Sequence, residues 1–170
     1  MIDGYGRTID YVRISVTDRC NLRCVYCMPE EGVCSISHEE ILRFGEIERV
    51  CQILAENGIQ KIKLTGGEPL VRRRLPELAA ALKQIPGIKS LTITTNGVLL
   101  EEMYDALAEA GVDSVTISLD TLDASVYRQL TRRDEIEAVR RGLRTAIQKG
   151  RMQIKINCVP VLGIEEQKLL

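Results

Sequence analysis

Five short runs of this chain alternate apolar and polar residues at a period of two, and stretches with helical spacing separate each run from the next. The runs are YVRISV from Tyr11, KIKLTG from Lys61, SLTITT from Ser90, SVTISLD from Ser114 and QIKINC from Gln153. Such alternation predicts half-buried strands. Between the first two strands, Ser37 with Glu40 reads as a capping box. Ile47, Val50, Cys51 and Leu54 then recur on one helical face until Gly58. Pro76 opens a second helix that stops at Pro86 and Gly87, and Leu100, Met103 and Leu107 carry a third to Gly111. Asp134 caps a fourth, with Ile136, Val139, Leu143 and Ile147 on one face before Gly150. The order βαβαβαβαβ predicts an α/β fold with a parallel sheet and crossover helices. The order alone leaves an open sheet and a barrel equally allowed.

The alternation narrows this choice. Parallel strands buried on both faces are apolar almost throughout. Here Val12, Ile14 and Val16 oppose Tyr11, Arg13 and Ser15, and Ile62 and Leu64 oppose Lys61, Lys63 and Thr65. Leu91 and Ile93 oppose Thr92 and Thr94; Val115, Ile117 and Leu119 oppose Thr116, Ser118 and Asp120; Ile154 and Ile156 oppose Lys155 and Asn157. Helices must cover the apolar face, so the polar face lines a wet space or a polar ligand. A partial barrel with a cationic inner surface around an anion fits this pattern. An antiparallel sheet with one solvated face is the alternative, and it accords less well with helices between the strands. The distinctive segments all follow strands: the cysteine loop, then GGEP (Gly66 to Pro69), TTNG (Thr94 to Gly97) and SLD (Ser118 to Asp120). The carboxyl ends of parallel strands are where α/β folds place their sites.

Cys20, Cys24 and Cys27 follow the first strand in a C-x3-C-x2-C spacing. The 170 residues suffice for one domain, and a net charge of -1 gives no global field to attract nucleic acid or an anionic membrane. No run approaches membrane-spanning length and MIDGYGRTIDYVR has no apolar signal segment. A cytoplasmic protein is therefore expected, in which six cysteines seldom form disulfides, and the cluster points to metal. Two metal readings are open. A structural zinc wants four ligands, and His38, the only histidine, could complete a Cys3His set. A cubane iron–sulfur cluster also wants four, and three cysteines would leave one iron open to substrate or cofactor. Cys51 and Cys158 fall in apolar registers, and Cys34 is a loop thiol. Gly66 and Gly67 allow either a ligand close to the backbone or a tight turn. Glu68 suits a bound cation or a helix cap. Arg72, Arg73 and Arg74, like Arg132 and Arg133, read as solvated faces, and no phosphate-binding P-loop motif is present.

The combination of CNLRCVYC, with an aromatic before the third cysteine, and GGEP after the second strand resembles the radical S-adenosylmethionine superfamily. YVRISVTDRCNLRCVYCMPEEGV, KLTGGEPLVRR, TTNGVLL, SLDTLD, LTRRD and KIN are similar, more narrowly, to the GTP 3′,8-cyclase family of molybdenum-cofactor biosynthesis, over nearly all 170 residues. The resemblance implies a truncated (β/α) barrel in which Cys20, Cys24 and Cys27 hold a [4Fe–4S] cluster whose open iron chelates S-adenosylmethionine. One electron then gives a 5′-deoxyadenosyl radical that abstracts the ribose 3′ hydrogen of GTP, and the sugar carbon attacks C8 of guanine. By matching motif positions it assigns Tyr26, Gly67 and Ser118 to S-adenosylmethionine, Arg13, Lys63, Thr94 and Lys155 to GTP, and no residue to acid–base catalysis. Lys63 departs from the arginine frequent in relatives; it keeps the charge without the planar fork. The resemblance also implies a one-electron reductant such as flavodoxin or ferredoxin, no nucleic-acid or membrane partner, and leaves room for a homodimer. Family members carry a carboxyl-terminal half with a second three-cysteine cluster. Residues 1–170 hold no second triplet and are expected to form the amino-terminal part of the core, incomplete for turnover. A peptide-modifying member of the superfamily and a non-catalytic metal-binding fragment are the rival readings.

Overall fold

A computed structural model describes residues 2–34, 36–37, 39–161 and 164. Five strands, β1 (Tyr11–Ser15), β2 (Lys61–Thr65), β3 (Ser90–Thr95), β4 (Ser114–Ser118) and β5 (Gln153–Asn157), form one parallel sheet in the order β1-β2-β3-β4-β5. Helices α1 (Phe44–Glu56), α2 (Leu75–Lys83), α3 (Leu100–Glu109), α4 (Ala124–Thr131) and α5 (Ile136–Lys149) connect them, and Pro69–Val71 adds one 3₁₀ turn. Strand order follows chain order with no reversal. Crossovers of one hand that always step the same way place their helices on one face of the sheet. The result is an open barrel wall whose edges are β1 and β5.

The core lies between that wall and its helices. Leu64, Leu91, Ile93, Val115 and Ile117 are fully buried there, against Ile47, Cys51, Leu75, Leu82, Leu100 and Leu107. Burying each large aliphatic side chain contributes about 1.5–3 kcal/mol. Tyr104 of α3 is fully buried too, and its hydroxyl accepts from Arg151 N (2.9 Å) and Met152 N (3.3 Å), tying α3 to the turn before β5. The edge strands are less covered: Ile156 of β5 is 40% exposed, and Cys158, expected in its apolar register, is only half-buried, with its thiol on Asp120 O (3.4 Å). Cys51 is buried on α1, as its spacing predicts.

Two helix starts and one whole helix depart from the sequence reading. Ser37 Oγ does reach Glu40 Oε2 (3.0 Å), but α1 begins at Phe44, where Glu46 accepts from Arg43 N (2.6 Å). Residues 39, 40, 42 and 43 are exposed, so packing holds no helix there; it begins with Ile47 and Cys51. Glu135, not Asp134, precedes α5, without a side-chain cap. Helix α4 was not expected as a separate element. Asp123 caps it, accepting from Ser125 N (2.9 Å) and Val126 N (3.0 Å), and Val126, Tyr127 and Leu130 form its buried stripe.

Candidate functional site

The site is assembled from the loops at the carboxyl ends of the strands. The cysteine loop continues the β1–β2 ladder: Val16 N donates to Thr65 O (2.9 Å), Gly67 N to Thr17 O (2.7 Å) and Glu68 N to Arg19 O (2.7 Å). This contact explains the paired glycines. A Cβ on Gly66 would lie 2.4 Å from Thr17 O, and one on Gly67 2.4 Å from Arg19 O. The sequence reading offered a ligand near the backbone or a tight turn; the structure shows a third use, close approach by the backbone of the cysteine loop itself.

Glu68, whose role the sequence leaves open, is a buried tie between loops. It is 1% exposed. Its carboxylate accepts from Leu70 N (2.9 Å), Thr95 Oγ1 (2.7 Å) and Asn96 N (2.6 Å), so it caps the 3₁₀ turn and holds TTNG. Burial pushes its pKa up, opposed by the hydrogen bonds from Asn96, Leu70 and Thr95. Asn96 carries the link onward: its Nδ2 donates to Asn21 Oδ1 (2.7 Å) and lies 3.9 Å from Cys20 Sγ. Glu68→Ala would leave three donors unmet, each worth about 1–3 kcal/mol when buried. Denaturant unfolding of the metal-free Glu68→Ala chain is expected to show a stability loss of about 3 kcal/mol or more; a loss under about 0.5 kcal/mol, typical of a neutral surface change, would contradict this role.

Helix α4 supports the same loop from the other side. Arg23 N donates to Thr131 O (3.0 Å), Val25 N to Leu130 O (2.8 Å), and the Arg132 guanidinium to Arg23 O (3.1 Å) and Met28 O (3.2 Å). Arg72 donates to Val16 O (2.5 Å) and Leu42 O (2.6 Å) and stacks 4.4 Å from the Phe44 ring. Arg72 and Arg132 therefore correct the expectation of solvated faces. Their guanidiniums hold loop carbonyls that no backbone donor meets among the described residues.

The three thiols are free. Cys20 and Cys24 are half-buried and Cys27 is exposed; Cys20 Sγ accepts from Leu22 N (3.4 Å). Burial pushes the Cys24 thiol up to about 11 and Cys20 in the same direction, with the neighbouring cysteines adding to both. Binding a metal group must therefore displace protons. Among the described residues no three His, Cys, Asp or Glu side chains converge to hold a single ion. Thiolates on one zinc stand about 3.8 Å apart, from Zn–S bonds of about 2.3 Å. Thiolates of a cubane each take a separate iron and need not converge. His38, the fourth ligand a zinc site would need, lies outside the described residues. Three buried side-chain polar atoms among the described residues have no partner: Asp18 Oδ1, Arg23 Nε and Tyr127 Oη. Two are donors, one on the cysteine loop and one facing it. A sulfide-rich anionic group on the thiolates supplies acceptors for such donors, so the residues present fit an iron–sulfur cluster.

Tyr26 and Ser118 join this cluster of loops. Tyr26 OH donates to Asp120 Oδ2 (2.5 Å), Asp120 Oδ1 accepts from Val159 N (2.9 Å), and burial pushes the phenol pKa upward with Asp120 adding to it. Cys24, Tyr26, Asn96, Ser118 and Tyr127 share a small cavity of about 40 Å³. The tertiary fold thus gathers Cys24, Tyr26 and Ser118, with Gly67 beneath the loop.

The other expected residues lie lower on the polar face. Arg13 pairs in register with Lys63, and Lys63 with Thr92; Thr94 pairs with Thr116, and Thr116 with Lys155. Arg13 and Lys155 lie on opposite edges, about 19 Å apart along a flat sheet of that width. Lys63 and Lys155 line one depression of about 240 Å³ with Thr92 and Thr116, and Arg13 and Thr94 are not part of its lining. Lys61 is paired with Asp10 (2.8 Å), whereas among the described residues Arg13, Lys63 and Lys155 have no carboxylate partner. A depression of about 440 Å³ lies apart from this face, beside Arg19, Arg43, Arg72 and Arg73. The sequence reading missed Asn96, Arg132 and Tyr127 as site residues. A signal existed for Asn96, inside TTNG. Tyr127 carries none, because a Tyr on a helical stripe reads as core.

The family model of the Radical SAM superfamily matches residues 14–170. A GTP 3′,8-cyclase of Pelotomaculum thermopropionicum is 51% identical over 170 residues, 100% of this chain and 52% of that protein. Those of Petrotoga mobilis (47% over 169 residues, 99% of this chain and 52% of that protein) and Moorella thermoacetica (46% over 170 residues, 100% and 53%) are similar. The chain spans about half the length of the curated relatives it matches. Among solved structures, Streptococcus suis SuiB aligns with a TM-score of 0.71 at 24% identity, covering 93% of this chain and 35% of that one. Methylornithine synthase aligns with a TM-score of 0.69 at 20% identity, covering 87% and 44%. These likenesses carry the fold: a barrel wall of the same build.

Proposed function

The chain belongs to the radical SAM superfamily, and on that premise we propose that residues 1–170 form the amino-terminal, cofactor-binding part of a GTP 3′,8-cyclase of molybdenum-cofactor biosynthesis, acting in the cytoplasm. Cys20, Cys24 and Cys27 would hold a [4Fe–4S] cluster, with S-adenosylmethionine against Tyr26, Ser118 and the Gly67 backbone. When bound, that pair supplies a 5′-deoxyadenosyl radical from one electron of an external reductant such as flavodoxin or ferredoxin. The chain's own residues do the rest by placement. The ladder from Val16 to Glu68 sets the loop's height above the sheet. Glu68 and Asn96 fix its inner edge, and α4 its outer edge. Tyr26 bonded to Asp120 joins the third cysteine's neighbour to the end of β4.

The observation that carries the substrate reading is the polar face: Arg13, Lys63 and Lys155 without carboxylate partners among the described residues, beside Thr92, Thr94 and Thr116. Cations gathered at one surface are costly unless an anion meets them, and a triphosphate supplies several charges. Relatives at 43–51% identity bearing the cyclase name support the same reading. The curated relatives' remaining length would complete the barrel and the purine site, so this chain alone is not expected to release cyclised GTP.

The test uses the chain extended to the relatives' full length. Arg13→Ala and Lys155→Ala are each expected to weaken GTP binding by about 1.5–3 kcal/mol, the worth of one charge-assisted hydrogen bond. S-adenosylmethionine binding should be nearly unchanged. Calorimetric titration of both ligands distinguishes the outcomes: normal GTP binding with lost S-adenosylmethionine binding would invert the division of the cavity.

A further inference from the structure

Tyr127 sits in the middle of α4 and is 3% exposed. Its hydroxyl is buried and has no hydrogen-bond partner among the described residues. Leaving a hydroxyl buried and unmatched is unfavourable, and a Phe would fill the same space without it. The hydroxyl has no evident use within the described fold, so its use must lie in what the ring faces. The ring lines the small cavity it shares with Leu22, Cys24, Tyr26 and Ser118. Thr131 also lines this cavity and lies close enough to the phenol to act on it, but its hydroxyl donates to Tyr127 O (2.8 Å) and Arg133 O (3.0 Å) and accepts from Arg133 N (3.3 Å), and no hydrogen bond of good geometry joins it to the phenol. A phenol keeps its proton at neutral pH and is available as a donor.

We propose that the Tyr127 hydroxyl donates a hydrogen bond to sulfur of the iron–sulfur group held at Cys24, on the thiolate or an adjacent sulfide, and so raises that group's reduction potential. The inference rests on the cluster reading above. A donor on sulfur withdraws electron density, and it stabilises the reduced, more electron-rich state more than the oxidised one. Hydrogen bonds to the sulfurs are among the few means by which a protein sets such a potential. Arg23 Nε, the unmatched donor on the cysteine loop itself, would remain in place in a Tyr127 variant.

The experiment is a redox titration, followed by electron paramagnetic resonance, of the anaerobically reconstituted chain and its Tyr127→Phe variant. Iron and sulfide contents should be equal, and the variant's midpoint potential should be more negative. In deuterium oxide, the exchangeable-proton coupling to the cluster should be weaker in the variant. The metal-free variant should be as stable as the parent or more so, because it loses no internal hydrogen bond. Equal potentials in two fully loaded proteins would overturn the inference while leaving the cluster reading intact. A drop in metal-free stability would overturn it too, by showing that the hydroxyl already has a partner. So would loss of assembly in Tyr127→Phe alone, which would make the hydroxyl a requirement for holding the group. Failure of the parent chain to take up iron and sulfide would instead strike the cluster reading itself.

Discussion

Replacing any one of Cys20, Cys24 or Cys27 with Ala is expected to abolish iron–sulfur assembly, whereas Cys51→Ala should retain it. All three lie on one loop, tied by Cys27 N and Met28 N to Cys24 O (2.9 and 3.1 Å), so they share one local frame. A cubane with three protein ligands has no spare thiolate to substitute for a lost one. Cys51 is fully buried on α1, and truncating it leaves a small cavity at a cost of about 1–2 kcal/mol, within the range of ordinary core changes. The parent chain, reconstituted anaerobically, should bind about four irons with matching sulfide and turn brown; a zinc-binding fragment would stay colourless. Iron loss in Cys51→Ala equal to that in the loop variants would overturn the ligand assignment.

Gly67→Ala should separate folding from assembly. The added methyl would meet Arg19 O at 2.4 Å, Arg19 C at 2.6 Å and Asp18 O at 2.7 Å, all of them backbone atoms that no rotamer change can remove. The loop would have to lift, breaking Gly67 N to Thr17 O and Glu68 N to Arg19 O. Two backbone hydrogen bonds contribute about 1–3 kcal/mol together, too little to unfold a domain whose strands and helices keep their packing. The expected result is a folded protein by circular dichroism with iron uptake reduced severalfold. Gly45→Ala is the matched control. Its Cβ meets nothing within 4 Å, it lies inside α1, and it should slightly raise stability while leaving iron uptake unchanged. Normal iron uptake by Gly67→Ala would show that the glycine's close approach does not set the loop's height.

The strands themselves, the two-faced sheet and the cysteine spacing were all legible in the sequence, because each is a local pattern. Period-two alternation needs only neighbouring residues, and βα repetition then leaves few topologies. Arg13, Lys63, Thr94, Ser118 and Lys155 could be placed on one face by counting alone, and the register bears out that placement. Helix starts were less legible. Ser37 and Glu40 form their local contact, yet whether a helix follows depends on burial that begins only at Ile47.

What only the tertiary structure decided is which loop touches which. Gly66 and Gly67 were readable as close-approach positions, but that the approaching group is the chain's own backbone depends on β1 lying beside β2. Glu68 could have held a cation; it holds Thr95 and Asn96 because β3 is the next strand over. Tyr26 to Asp120, Arg132 to Arg23 and Tyr127 against Cys24 join residues about a hundred positions apart. No local period encodes such pairs. They exist because five parallel strands in chain order bring every carboxyl-terminal loop to one end of the sheet. There the backbone groups that no strand satisfies must find partners from other loops.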